Sequence, residues 1–159
     1  MRTKGTARAS GPDTAHLFQK RFESLVDCSI QGIAVHRHHR IVFANATMAH
    51  MFGYRSAQRL LGMHPHDLVA PEDRKRMAAY GVERRSGRPA PERYEFRGLH
   101  RSGRTLWLEV RVRVVEWDGV PANLSTLVDI TERKQADLSL LASEEQAQNG
   151  NGAETPCRF

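Results

Sequence analysis

Eight histidines make this 159-residue chain unusual, and they are the first place to look for chemistry. His36 and His38 fall two apart, which puts both on one face if the run is extended. His64 and His66 flank Pro65. Two such pairs supply imidazole nitrogens of the kind that bind zinc, but a zinc site needs three or four protein ligands. No cysteine or acid completes either pair at the usual spacing, so surface or turn positions are expected, where histidines titrate near neutral pH. The two cysteines, Cys28 and Cys157, form neither a disulfide framework nor a metal pattern. They fit a reducing, cytoplasmic setting. No Gly-x-Ser-x-Gly, P-loop or paired dinucleotide glycines occur, so no enzymatic activity is expected. A different chemistry lies at Asp129-Ile130-Thr131-Glu132-Arg133-Lys134. There a strand-like run gives way to a helix-like run, and Asp129 or Thr131 can cap the helix by accepting from its unpaired first-turn N–H groups.

The elements that must position these residues follow from composition and period. The length is that of one domain. Hydrophobic residues make up 40% and charged residues 26%, ordinary values for a globular chain with one core. No apolar run approaches the ~18 residues of a membrane span, and the N-terminus lacks the apolar segment of a secretory signal. The net charge of +6 admits nucleic acid or an anionic surface as partner. The basic residues are interleaved with acids and apolar residues, however, and read as a solvated surface. None of the short helices has a helix-turn-helix partner that would favour nucleic acid.

Residues 1–12 read as a disordered tail, rich in Gly, Ser, Thr and basic residues. Phe18, Phe22, Leu25 and Val26 recur at helical spacing, so 13–29 reads as an amphipathic helix. Runs at 33–36 and 40–43 read as a hairpin. Asn45 then starts a short helix that stops at Gly53. Brief helices at 56–61 and 65–69 precede a longer one from Pro71, tolerated as a first helical residue, to about residue 85. Residues 93–99 alternate as a strand. Leu106, Leu108, Val110, Val112 and Val114 form one face of a long strand, the clearest strand signal in the chain. Asp118-Gly119 is a hairpin turn, and 123–128 is the partner strand. A helix at 132–147 lacks sustained heptads, which argues against a long coiled coil. Residues 148–159 read as a low-complexity disordered tail. Two hairpin units joined by a helical crossover imply an α+β fold, one antiparallel sheet with helices gathered on one face.

Taken in order, Ile30-Gln31-Gly32-Ile33-Ala34-Val35, Ile41-Val42-Phe43-Ala44-Asn45-Ala46, Phe52-Gly53-Tyr54, Leu61-Gly62, Pro71-Glu72-Asp73-Arg74, Gly103-Arg104-Thr105-Leu106-Trp107-Leu108-Glu109-Val110 and Asp129-Ile130-Thr131-Glu132-Arg133-Lys134 resemble a PAS sensory domain. The resemblance places the domain at 30–131. It implies a five-stranded antiparallel sheet in spatial order 2-1-5-4-3, with short helices closing a pocket over one face. It also implies a signalling role, as a sensor or interaction module that couples ligand occupancy or dimer packing to the C-terminal helix. Asp129 and Thr131 would be the Asp and Thr of the family's DIT motif, with Arg133 completing the signal-transmitting run. Asn45 would tie the end of the second strand to the next helix.

On the same resemblance, Met77, Tyr80, Tyr94 and Phe96 would face the pocket and suit a small apolar or aromatic ligand. No cofactor is firmly implied. The region 62–67 lacks the cysteine of a photoactive flavin site, and the helix from Pro71 lacks a histidine for haem. Met77 and Tyr80 are possible iron ligands, but core packing is the better reading of their spacing. The partners implied are a second copy of the chain and a signalling protein, such as a histidine kinase or cyclase, in cis or in trans. A haem or flavin redox sensor and a basic nucleic-acid regulator are the rival classes.

Overall fold

The alternating run at 106–114 becomes the spine of the molecule. A computed structural model describes residues 12–150. In order, these form α1 (Pro12–Asp27), β1 (Gly32–Arg37), β2 (Arg40–Ala44), α2 (Ala46–Met51), 3₁₀ turns at Ala57–Arg59 and Pro65–Leu68, α3 (Pro71–Arg85), β3 (Arg93–Leu99), β4 (Thr105–Trp117), β5 (Val120–Asp129) and α4 (Thr131–Gly150). The strands make one antiparallel sheet in the order β2-β1-β5-β4-β3. The expected fold and strand order are therefore observed.

Successive side chains of a strand point to opposite faces, and β4 uses this to divide the molecule. Leu106, Leu108, Val110 and Val112 are at most 3% exposed. They pack under α2, the 3₁₀ turns and α3, with Phe52 and Leu60 filling the centre of the core. Trp107, Glu109 and Arg111 face the opposite side. Val114 belongs to the inner face by period yet is 59% exposed, because the strand outruns the helices that cover it. At Gly98 of β3, an added Cβ would lie 2.6 Å from Leu108 Cδ1 and 3.0 Å from Phe52 Cε1. Only glycine leaves room here for the Leu108 and Phe52 side chains.

Several boundaries differ from the sequence reading. His38 does not share a strand face with His36. The β1–β2 turn is made by His38 and His39, both at positive φ (49° and 62°). Such two-residue turns usually take Asn or Gly, which is why composition hides this one. The helices expected at 56–61 and 65–69 shrink to single 3₁₀ turns. The last strand begins at Val120, three residues earlier than the apolar run indicates, because it pairs with β4 up to the Asp118-Gly119 turn. The final helix starts at Thr131 and runs through Gly150, so residues 148–150 are helical and not part of a tail. Pro12 likewise belongs to α1. The tails expected over 1–11 and 151–159 lie outside the described residues.

Helix α1 is joined to the sheet lightly. The Phe22 ring lies 6.0 Å from Phe43, which lies 5.4 Å from Trp117. Phe18 and Leu25 of the same stripe are 72% and 75% exposed.

Candidate functional site

Between the inner face of the sheet and its helical cover lies a cavity of about 130 Å³. Its depth is apolar, with Ala34, Met48, Phe52, Leu68, Phe96 and Leu127 on the walls. Its mouth is polar and carries His39, His64, His66, Arg84 and Arg85, with His36 in the wall behind them. Of the four residues expected to face a pocket, Met77, Tyr94 and Phe96 reach it. Tyr80 does not. One position along α3 from Gly81, it stands behind the wall with its ring edge-on to Tyr94 at 4.9 Å, and the Arg76 guanidinium lies over it.

His64 and His66 sit at a turn as expected, and His36 is the main correction to the sequence reading. His36 is not a surface residue. It projects from β1 into the cavity wall, with Nε2 3.4 Å from Ser125 Oγ. The β1–β2 turn brings His39 within stacking distance of His64, at 5.3 Å between ring centres, and His64 lies 4.7 Å from His66. His64 Nδ1 accepts the His66 N–H at 3.1 Å and caps the Pro65–Leu68 turn. Among the described residues, no three His, Cys, Asp or Glu side chains are arranged to hold a metal ion.

Burial, followed by the charges of Arg84, His66, His39 and His64, pushes the His36 imidazole down to about pH 4. Burial and then Arg85, His64 and His38 lower His39. Burial lowers His66 too, as do His64, His39 and Arg74, against an opposing Asp67. The Tyr94 hydroxyl is shifted up by burial, partly offset by Arg84.

The cavity does not suit the larger prosthetic groups. At about 130 Å³ it is close to the ~150 Å³ apolar void that admits benzene, and it has no room for a porphyrin or for the three fused rings of a flavin. Helix α3 carries no histidine, and Cys28, at the far end of α1, is exposed.

A second constellation sits where β5 ends. The Trp107 N–H of β4 donates to Thr131 Oγ1 at 2.9 Å, and Ile130 N–H returns a bond to Trp107 O at 2.8 Å. Thr131 Oγ1 donates to Asp129 Oδ1 at 2.6 Å, and the same oxygen accepts the Thr131 N–H at 2.9 Å. Asp129 therefore holds the threonine, and the threonine holds β4. Arg133 and Lys134 add contacts one turn later, both to Glu95, at 2.9 Å and 2.5 Å. Lys134 Nζ also lies 5.2 Å from the centre of the Trp107 ring, within cation–π range. The first turn of α4 is thus tied to β3 and β4 on the outer face of the sheet.

Two buried polar residues brace the frame. Asn45, 1% exposed, accepts from Ile33 N–H and Met48 N–H through Oδ1, each at 2.9 Å. Its Nδ2 donates to Val26 O and Gln31 O. The residue caps α2 and also joins β1 and the end of α1 to it. Asp73, which sequence reasoning gave no role, fixes α3 to the sheet edge. It accepts from Arg97 N–H at 2.7 Å and from the Arg97 guanidinium at 3.1 and 3.2 Å. Burial pushes its carboxyl up, but the Arg97 and Arg76 bonds outweigh burial and hold it at about 2. A carboxylate in the first turn of a helix that begins with proline was the available signal.

A twisted antiparallel sheet in this order, with a helical cover over a small cavity and a helix leaving from the last strand, defines a sensory α+β module. The chain belongs to the PAS domain family, whose sequence pattern matches residues 30–132. It is 29% identical over 129 residues to the hybrid signal transduction histidine kinase B of Dictyostelium discoideum; the match takes in 79% of this chain but spans only 7% of that protein's length. Among solved structures, the PAS domain of a protein from Colwellia psychrerythraea superposes with a TM-score of 0.60 at 21% identity, covering 72% of this chain and 98% of that one. A sensory box histidine kinase/response regulator from Burkholderia thailandensis gives 0.59 at 22% identity, with 81% and 98% covered. The chain is a PAS domain similar to part of a signalling kinase, consistent with a signal-transduction sensor module. No helix among the described residues is long and apolar enough to cross a membrane.

Proposed function

We propose that this domain is a non-enzymatic sensor that converts occupancy of its cavity, or the packing of two subunits, into a change at the start of α4. The observation that carries the reading is the paired exchange between Trp107 and the Ile130–Thr131 segment. Leu108 and Val110 of β4 lie on the core and cavity side, while the Trp107 backbone between β4 and α4 forms the latch. A molecule entering the cavity presses on the same strand that holds the helix. Dimer packing is supported by α1, whose Leu17, Phe18 and Leu25 are half or more exposed. Such a stripe suits burial against a second copy of the chain. The downstream reader is a signalling protein, a histidine kinase or cyclase in cis or in trans, and the setting is cytoplasmic. The kinase similarity supports the partner, and Cys28, unpaired among the described residues, fits the setting.

The junction is tested by Asp129→Ala combined with Thr131→Ala. Hydrogen exchange in 132–141 is expected to speed up while amides of Leu108 and Val110 keep their protection. Unchanged exchange in that helix refutes the latch. Native mass spectrometry of the wild type and of Phe18→Glu reads the dimer. A wild-type monomer removes subunit packing as an input.

A further inference from the structure

The cavity's ligand has a chemistry that can be read from the mouth. Among the described residues, no aspartate or glutamate lines the cavity. Among the described residues Arg76 and Arg97 pair with Asp73, at 3.3 and 3.1 Å, Arg93 with Glu109 at 2.8 Å and Arg133 with Glu95 at 2.9 Å. Arg84 is one of the many arginines without such a pair. It is half-buried at the end of α3, and its Nη2 donates to the Pro91 carbonyl at 2.6 Å. No carboxylate among the described residues lies within ion-pair distance of it. The bond to Pro91 aims the guanidinium beside Tyr94 and keeps it close enough to His36 to oppose a charge there. Arg85, His39, His64 and His66 surround the same opening.

A half-enclosed cleft with low-dielectric walls and one sign of charge concentrates ions of the opposite sign. A guanidinium is planar, and its fork of N–H donors matches a carboxylate. We propose that the cavity takes a small amphiphilic carboxylate. Its hydrocarbon or aryl body lies against Met48, Phe52, Phe96 and Leu127, and its carboxylate lies at the mouth on Arg84. This rests on the reading that cavity occupancy is sensed.

The size limits the body. A space of about 130 Å³ compares with the ~150 Å³ void that holds benzene, so one aromatic ring or a short alkyl chain fills it. The neutral polar lining residues Ser125, Asn123 and Tyr94 supply further hydrogen bonds without opposing the charge.

The test uses two acids and their uncharged amides on the full ¹⁵N-labelled chain: benzoate against benzamide, and hexanoate against hexanamide. Chemical shifts of Val110, Val112 and Leu127 read the cavity, and amide exchange in 132–141 reads α4. The carboxylates are expected to give saturable shifts, with the amides at least about tenfold weaker because the charge-assisted bonds are lost. Arg84→Gln is expected to bring the acids down to the level of the amides, and Arg84→Lys, which keeps the charge but loses the fork, to keep part of the preference. Amides that bind as tightly as acids overturn the proposal. So does an Arg84→Gln protein with unchanged affinity for benzoate, or the absence of saturable shifts with either acid. Amide binding that alters α4 leaves the sensor reading intact and removes the anion. Acid binding that leaves α4 untouched does the opposite.

Discussion

Replacing His36 offers the most direct test of the electrostatics in this domain. In an unfolded chain its imidazole has an ordinary pKa of 6.5, whereas burial and the surrounding cations hold it at about 4 in the fold. The unfolded state therefore binds a proton over a range where the native state does not, so stability rises with pH there. His36's contribution is fully present above pH 6.5, shrinks as pH falls, and is gone below pH 4. The difference of about 2.5 pH units, at ~1.36 kcal/mol each, comes to about 3 kcal/mol. Urea denaturation followed by circular dichroism at steps between pH 6.5 and pH 4 should show this loss. The slope should approach ~1.4 kcal/mol per pH unit in the middle of the window. His66 and His39 are lowered as well and act in the same direction, so the decisive comparison is with His36→Gln. Glutamine keeps a polar partner for Ser125 and cannot titrate. Its stability should fall far less steeply. A variant as steep as the wild type, or a His36 resonance titrating near its ordinary pKa, would falsify the placement of His36 in the cavity wall.

Two further outcomes follow from the buried polar braces. Asn45→Ala removes four hydrogen bonds and leaves buried backbone groups unpaired, which should cost about 3 kcal/mol. The check is a lowered urea midpoint at unchanged m-value, and a loss below 1 kcal/mol, the size of an ordinary cap alone, argues against the three-way tie. Asp73→Asn should cost about 2 kcal/mol at neutral pH, the equivalent of lowering its carboxyl from 3.8 to about 2. Because that pKa is depressed, the stabilisation is present above pH 3.8 and lost as pH falls toward 2. The acid limb of the wild-type stability curve should therefore flatten in the variant, and an identical acid limb counts against the Arg97 contacts.

The sheet was legible because β4 carries an uninterrupted period of two, and its partner is announced by Asp118-Gly119. The strand order could not be read from period at all. It came with the PAS resemblance, since nothing in a strand's own alternation says which neighbour it will take. Asn45 and the Asp129–Thr131 pair were legible because short polar side chains at element ends have few alternative uses. The cavity was legible only in part. Met77, Tyr94 and Phe96 line the cavity as the resemblance implies, but Tyr80 is one helical position away from the wall, a rotation of ~100°. Among the histidines, His36 was misjudged for a clear reason. A side chain's burial depends on what packs over it, and the cover of His36 comes from α3 and the Pro65–Leu68 turn, distant in sequence. A His-His turn with positive φ is uncommon enough that no local pattern flagged it.

The two tryptophans are placed so that each watches a different flanking helix. Trp117 touches Phe43, which touches Phe22 of α1, while the Trp107 ring lies beneath Lys134 of α4. With Trp117→Phe, emission from Trp107 is sensitive to lifting of α4. With Trp107→Phe, the remaining fluorophore is sensitive to α1 through Phe43. The chain therefore carries a separate optical label near each of its flanking helices, α1 and α4, and it needs no added dye to tell which of them moves first.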